Sequence, residues 1–451
     1  MKRPEGLVRP WDYFYLEAVL YAFAKVVMWI TVHFYFRRVV FSGRERIPDD
    51  EPVILIANHS ASFLDAMLLA VIMKRPLNFY ARSDIFRKPW ANRILRTFHM
   101  MPIYNIEHGK ADLVRNEETF SEGETILNDK GLLLIFPEGL SRVERIMLPL
   151  KKGTARVALQ TESRRDFRLG LKVIPIGINY SRHRFRADVW VQTGDPIRID
   201  KYAEVYRESP PRAITQLTRE LESKFGDTMF FVDQPERTGL IERLLEIFRN
   251  DAFHSAGSRQ KESVIEMEKE VCREVSALTD AEAVTLEEDL RRYDRMLSEE
   301  GLEDRSVNGR YRFAVWHILV LLITLPVFLA GFAMNYILLR FSKWVADRTV
   351  TRVDFYTSVV TAVGGLGYVA WWLLLMVSAA IVGQTWYWIL VLTAPLTLFL
   401  AMFWWESLIA LIAHLRFIRK RRSAPGWVAD LRALRERLAI WDMQSGHSAD
   451  S

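Results

Sequence analysis

From Phe355 to Trp405 the chain runs for 51 residues without an Asp, Glu, Lys or Arg. At about 1.5 Å of rise per helical residue, such a run makes two membrane passes, with a bend near Gly383-Gln384. Phe313–Leu339 is also free of those four residues and long enough to span. The expected membrane helices are therefore 313–339, 355–382 and 387–415, in a region covering 313–418. Arg416, Arg419, Lys420, Arg421 and Arg422 close that region, and a tail follows over 419–451. The remainder must fold as a body attached to it.

The chain has 451 residues, room for two or three domains, and is 50% hydrophobic, enough for a core. Its 61 basic and 55 acidic residues leave a formal charge of +6, which suits an anionic membrane surface or phosphorylated small molecules. No basic stretch interleaves with aromatics in a nucleic-acid-binding pattern, so nucleic acid is not an expected partner. A single cysteine, Cys272, excludes an intramolecular disulfide and fits a reducing compartment. Tyr13–Phe36 is apolar, but Glu17, Lys25 and His33 punctuate it and no cleavage site follows. Residues 1–38 are read as a helix in the membrane interface, with Trp11 and Trp29 at headgroup depth; a spanning helix is the competing reading.

Between Val39 and Ile199 short apolar runs alternate with helical patterns. The runs are Val53–Ala57, Leu77–Tyr80, Leu132–Phe136, Val173–Gly177 and Val189–Thr193. Apolar residues at helical spacing lie between them, as in Lys110–Lys130 and Gly153–Glu162. This alternation predicts an α/β domain with a largely buried sheet, at 39–235. Residues 236–312 are rich in Glu, Lys, Arg and Leu, and Glu262–Ser276 and Glu282–Ser298 read as amphipathic helices of an insert or linker.

The positive-inside rule places the loop holding Arg340, Lys343, Arg348 and Arg352 in the cytoplasm with the Arg416–Arg422 cluster, and the bare Gly383–Trp386 turn outside. A cytoplasmic catalytic body then requires that Phe313–Leu339 not cross, breaking at Pro326 and Gly331 into a re-entrant hairpin.

Two blocks carry chemistry. Asn58-His59-Ser-Ala-Ser-Phe-Leu-Asp65 directly follows the Val53–Ala57 run. A His at a strand end with an Asp six residues on fits a general base and its orienting carboxylate. The block alone also fits a turn Asn, a surface His and a helix-capping Asp. Pro137-Glu138-Gly139-Leu140-Ser141-Arg142 follows the Leu132–Phe136 run, at a strand end where α/β sheets place ligand sites. Glu138 and Arg142 give one acceptor and one cation, suited to a hydroxyl and a phosphate on one small molecule, or equally to a surface ion pair. The cluster Tyr180–Arg186 fits CoA phosphates, a membrane surface or a solvated loop. No His, Cys and Asp residues have metal-binding spacing, and no Gly-x-Ser-x-Gly elbow is present.

With Leu148-Pro-Leu-Lys-Lys-Gly153 and Val173-Ile-Pro-Ile-Gly177, these blocks resemble the PlsC-like lysophospholipid and glycerol-phosphate acyltransferase superfamily over roughly Phe41–Pro196. The resemblance implies a mixed sheet flanked by helices, joined here to the helical C-terminal membrane region. It also implies acyl transfer to a glycerol-phosphate-type acceptor in phospholipid biosynthesis. By that likeness His59 is the base and Asp65 its partner, while Asn58, Glu138, Gly139, Ser141, Arg142 and Lys151 contribute to substrate binding. The donor is acyl-CoA or acyl carrier protein, membrane lipids are further partners, and no metal or other cofactor is implied. A bacterial inner membrane or an endoplasmic reticulum fits equally.

Three features depart from the superfamily pattern. Five residues separate His59 from Asp65 rather than the usual four, as in the branch that resembles glycerol-3-phosphate and dihydroxyacetone-phosphate acyltransferases. Leu140-Ser141-Arg142 replaces the usual Thr-Arg-Ser. Asn105 stands where a phosphate-binding Arg is expected, which turns attention to Arg82, Arg115 or Lys151. Rival readings are a 1-acylglycerol-3-phosphate acyltransferase, a transacylase, a hydrolase, and an inactive lipid-binding membrane protein.

Overall fold

Strands β1 (Arg38–Ser42), β2 (Val53–Ala57), β3 (Leu77–Arg82), β4 (Met100–Ile103), β5 (Leu132–Ile135), β6 (Lys172–Tyr180), β7 (Asp188–Thr193) and β8 (Ile197–Arg198) form one sheet in the computed structural model. Their order is β1–β7–β6–β2–β5–β3–β4, with β8 beside β6. Strands β2 to β6 pair in parallel, and β7 and β8 run antiparallel to β6. Residues 10–104, 110–255, 261–308, 315–350 and 352–440 are described. All five residues of β2 (Val-Ile-Leu-Ile-Ala) are buried, as a parallel strand covered on both faces demands. The expected α/β layering is present, and the apolar runs lie on β2, β3, β5, β6 and β7. The two edge strands β1 and β4, whose apolar stretches are short, and the two-residue β8 lie outside the expected runs.

The chain divides into two compact units. The first holds Met1–Val143, Leu148–Met229 and Val350–Gly365. Besides the sheet it contains helices α1 (Pro10–Tyr35), α2 (Phe63–Ile72), α3 (Pro89–Thr97), α4 (Lys110–Asn128), α5 (Gly153–Ser163), α6 (Ala203–Glu208) and α7 (Pro210–Gly226). The C-terminal end of α1 is part of the core: Val32, Tyr35 and Phe36 are buried with the sheet. Arg37 then clasps buried Asp188 through two hydrogen bonds (3.0 and 2.5 Å). The other side of α1 exposes Val19, Phe23, Val26 and Trp29.

The second unit holds Glu144–Met147, Phe230–Thr349 and Leu366–Ser451. It contains α8 (Thr238–Ser255), α9 (Lys261–Ala277), α10 (Asp280–Glu300), α11 (Asp304–Val307), α12 (Val315–Thr349), α14 (Thr385–Ser423), α15 (Pro425–Ile440) and the later part of α13 (Val353–Val382). The insert expected over 236–312 becomes α8 to α11, clustering with the C-terminal helices. Asp304 accepts hydrogen bonds from Tyr293 (2.6 Å) and from Arg435 of α15 (2.8 Å), all three buried. The chain after 419 therefore continues α14 and adds a packed α15, while residues beyond 440 lie outside those described. Cys272 is buried, which pushes its thiol up to about 11.

Among the described residues, four helices are long and apolar enough to cross a membrane: Glu17–Tyr35, Trp316–Thr349, Phe355–Val382 and Thr385–Ser423. They mark the chain as membrane-associated. The expected break at Pro326 and Gly331 is not formed, because α12 runs unbroken through both. Gly331 serves helix packing instead. A Cβ there would sit 2.5 Å from the Thr397 carbonyl oxygen of α14, so the missing side chain lets the two backbones approach. Tryptophan N–H groups bond to carbonyls of neighbouring helices, Trp371 to Met334 and Trp404 to Leu321 (2.8 and 3.0 Å).

Candidate active site

Strand β2 delivers Asn58 and His59 at its C-terminal end, between the ends of β5 and β6. The Asn58 amide bonds both backbone groups of Ile178 in β6: it donates to the carbonyl (2.9 Å) and accepts from the N–H (2.7 Å). This carries the ladder one residue past the strand and fixes where the chain turns toward His59.

The next turn brings Asp65 back under the imidazole. His59 Nδ1 lies 3.0 Å from Asp65 Oδ2. A fully buried carboxylate only accepts, so Nδ1 carries the proton and the Nε2 lone pair is left to act as a base. Asp65 takes two further bonds, from the Ala61 N–H (2.9 Å) and the Tyr180 hydroxyl (2.7 Å). Three donors offset the desolvation of the buried charge. The carboxylate also pushes the Tyr180 hydroxyl well above its ordinary pKa, burial being the larger cause. The imidazole stacks on Phe136 at the end of β5, with ring centroids 3.9 Å apart, and its side chain keeps 22% exposure. His59 thus has a fixed tautomer, a fixed plane and an open edge. Ser62, the N-cap of α2, adopts φ 51° and ψ −127°, a costly conformation for any residue but glycine.

The second block folds against the first. Glu138 is 7% exposed, and its carboxylate accepts from the backbone N–H groups of His59 and Leu148 (the latter at 3.4 Å). Burial pushes it up to about 7, against the pull of those bonds and of His59. The alternative reading of Glu138 and Arg142 as a surface ion pair does not hold. Arg142 is exposed, and its backbone N–H donates to the His59 carbonyl oxygen (2.9 Å). Gly139 takes φ 70°, and a Cβ there would lie 2.5 Å from Lys151 Nζ, so the glycine lets the ammonium lie across the turn. Lys151 N–H in turn bonds the Pro137 carbonyl (2.9 Å). The Ser141 hydroxyl oxygen is buried without a hydrogen-bond partner.

His59, Asp65, Asn58, Glu138, Gly139, Ser141, Arg142 and Lys151 therefore gather at the C-terminal ends of β2 and β5. Arg82 and Arg115 do not join them. Arg82 pairs with Asp84 at the end of β3, and Arg115 lies over Tyr104 (5.4 Å), both toward the β4 edge. Asn105 lies outside the described residues. Tyr180 is the residue the sequence reading missed. It was grouped with the basic cluster that follows it, whereas it ends β6 beside β2 and belongs to Asp65. Among the described residues, no three His, Cys, Asp or Glu side chains gather to hold a metal ion.

The chemistry this arrangement can perform is proton removal from a hydroxyl by a neutral imidazole, at the mouth of a parallel sheet and beside the N-terminus of α2. Residues 38–179 match the family model described as Acyltransferase. Two curated relatives are similar to part of the chain. Glycerol-3-phosphate O-acyltransferase 2 of Saccharomyces cerevisiae is 30% identical over 192 residues, 40% of this chain and 25% of that protein. A 1-acyl-sn-glycerol-3-phosphate acyltransferase of Chlamydomonas reinhardtii is 30% identical over 145 residues, 31% of this chain and 38% of that protein. The chain thus spans well under half the length of either. The solved structure of the 1-acyl-sn-glycerophosphate acyltransferase PlsC from Thermotoga maritima superposes with a TM-score of 0.34 at 19% identity, covering 48% of this chain and 84% of that one. That superposition is too loose to carry an argument.

Proposed function

We propose that the chain is a membrane-bound O-acyltransferase that moves a fatty acyl group from acyl-CoA to the hydroxyl of glycerol-3-phosphate or dihydroxyacetone phosphate. The observation that carries this reading is the His59–Asp65 pair. Its free Nε2 edge opens at the sheet end, within a domain whose family performs acyl transfer. The substrate hydroxyl gives its proton to Nε2 as its oxygen attacks the thioester carbonyl. Asp65 stabilises the imidazolium that forms. The oxyanion develops beside the positive end of α2, where the helix dipole favours negative charge. Collapse releases the CoA thiolate, which takes up the proton, so no covalent enzyme intermediate is needed.

Lys151 lying across Gly139, the unpaired Ser141 hydroxyl and exposed Arg142 are the groups suited to a phosphorylated headgroup. Glu138 acts through the His59 backbone rather than on the acceptor. The catalytic unit faces the cytoplasm, where acyl-CoA is supplied. A 1-acylglycerol-3-phosphate acceptor, giving phosphatidic acid, is the second reading, favoured by the Chlamydomonas relative.

Purified membranes carrying the wild type or His59→Ala, given labelled acyl-CoA and each of the three acceptors, test the reading. A lipid product that falls by about a thousandfold or more without His59 is expected. Free fatty acid as the product would show a hydrolase, and undiminished transfer by His59→Ala would end the proposal.

A further inference from the structure

The His59 turn is braced by a residue from far along the chain. Ser358, near the start of α13, donates to the Ala61 carbonyl (2.5 Å) and accepts from the Leu64 N–H (3.0 Å). Its side chain is buried, and Val360 beside it packs on the sheet core. Ala61 is consequently bonded at both of its backbone groups, its N–H to Asp65 and its carbonyl to Ser358. Between these braces sits Ser62, in a conformation that persists only where its surroundings over-determine it.

Ser358, like Thr357 before it, whose hydroxyl lies 3.5 Å from the His183 carbonyl oxygen, bonds outside its own helix, unlike several other helical hydroxyls. Thr31 of α1, Thr324 of α12, Thr361 of α13 and Thr393 of α14 each return their hydrogen bond to their own helix, four residues back. Ser358 instead bonds across to the His59 turn. Just before it, Arg352 Nη2 lies 3.5 Å from the Ser141 carbonyl oxygen, with its guanidinium 5.1 Å over the Phe355 ring. Arg352 is exposed, and it brings a cation to the turn that also holds Arg142 and Lys151. Arg352 and Ser358 belong to the unit that contains His59, yet they lie far outside the 38–179 stretch that matches the family model.

We propose that the start of α13 is a working part of the acyltransferase site. Ser358 is a positioning residue that fixes the turn carrying His59. Arg352 is a cation for the phosphate of the acceptor. The inference rests on the acyltransferase reading and names which distant residues complete its site.

The test is steady-state kinetics of the full chain in native membranes. It compares the wild type with Ser358→Ala, Ser358→Thr and Arg352→Ala, using glycerol-3-phosphate and acyl-CoA. Ser358→Ala should lower kcat by about tenfold with KM unchanged, since a slight misplacement of a catalytic base is costly. Ser358→Thr, which keeps the hydroxyl, should recover most of that loss. Arg352→Ala should raise KM for glycerol-3-phosphate by about tenfold while leaving KM for acyl-CoA unmoved. Wild-type kcat in Ser358→Ala, or a Ser358→Thr as slow as Ser358→Ala, overturns the positioning role. Unchanged acceptor KM in Arg352→Ala overturns the cation. Should Ser358→Ala fail to accumulate, Ser358→Cys, close in volume but a weak hydrogen-bonding group, replaces it with the same expectation. A wild type that transfers no acyl group ends this inference and the function together. An active wild type with unaffected variants ends this inference alone.

Discussion

Glu138 ties the chemistry of the site to pH. Its carboxyl is buried, and folding raises its pKa from the ordinary range near 4.5 to about 7. Between those values the folded protein holds a proton that the unfolded chain has released, so the contribution to stability falls as pH rises. A shift of that size corresponds to about 3 kcal/mol between the two protonation states. Glu138→Gln stays neutral throughout, so its stability relative to the wild type should improve from pH 5 to pH 8. Thermal unfolding in detergent at the two pH values measures this; a difference that does not grow with pH contradicts the assignment. His59 carries its meaning differently. Asp65, Ala61, Tyr180 and Phe136 fix its tautomer and plane, so its surroundings rather than its charge suit it to the proposed role of base.

At the scale of elements, long uniform patterns in the sequence were readable and short or distant pairings were not. Val53–Ala57 is apolar throughout because β2 is central and covered on both faces, so composition alone marks it. Strands β1 and β4 form the sheet edges, where Arg38 and Pro102 can stand, and their apolar stretches, Val39–Phe41 and Met100–Ile103, are too short to announce a strand. The His59–Asp65 pair was legible because both partners lie on one turn. Tyr180 was not, because its place depends on β6 folding beside β2, and Ser358 lies 297 residues beyond Ala61. Gly331 misled for a local reason. With Pro326 it reads as a helix breaker, yet in an apolar bundle a glycine also admits a neighbouring backbone. Gly331→Leu should therefore push α12 from α14 and destabilise the helical unit by about 2 kcal/mol or more. An unchanged melting temperature in detergent would contradict this packing role.

For the whole molecule, catalysis and membrane attachment share one stretch of chain. Val350–Gly365 folds with His59, so the start of α13 lies on the catalytic side. Helices α13 and α14 are joined at Gly383 and Gln384, where no charged residue stands, and α14 ends in the Arg416–Arg422 cluster. On the proposed function, the positive-inside rule predicts that the catalytic side faces the cytoplasm. A cysteine introduced at Gln384 should be labelled only from the far side of sealed vesicles. The reverse pattern would refute this placement. An acyltransferase placed so meets its soluble acceptor and donor on one side and leaves its lipid product in the membrane.

The most direct test of the central claim is acyl transfer to glycerol-3-phosphate, dihydroxyacetone phosphate and 1-acylglycerol-3-phosphate by membranes carrying the wild type or His59→Ala. An esterified lipid from the wild type, reduced about a thousandfold or more in His59→Ala membranes that hold equal amounts of protein, is the predicted result. Equal transfer by the two proteins, or none with any acceptor, would contradict it.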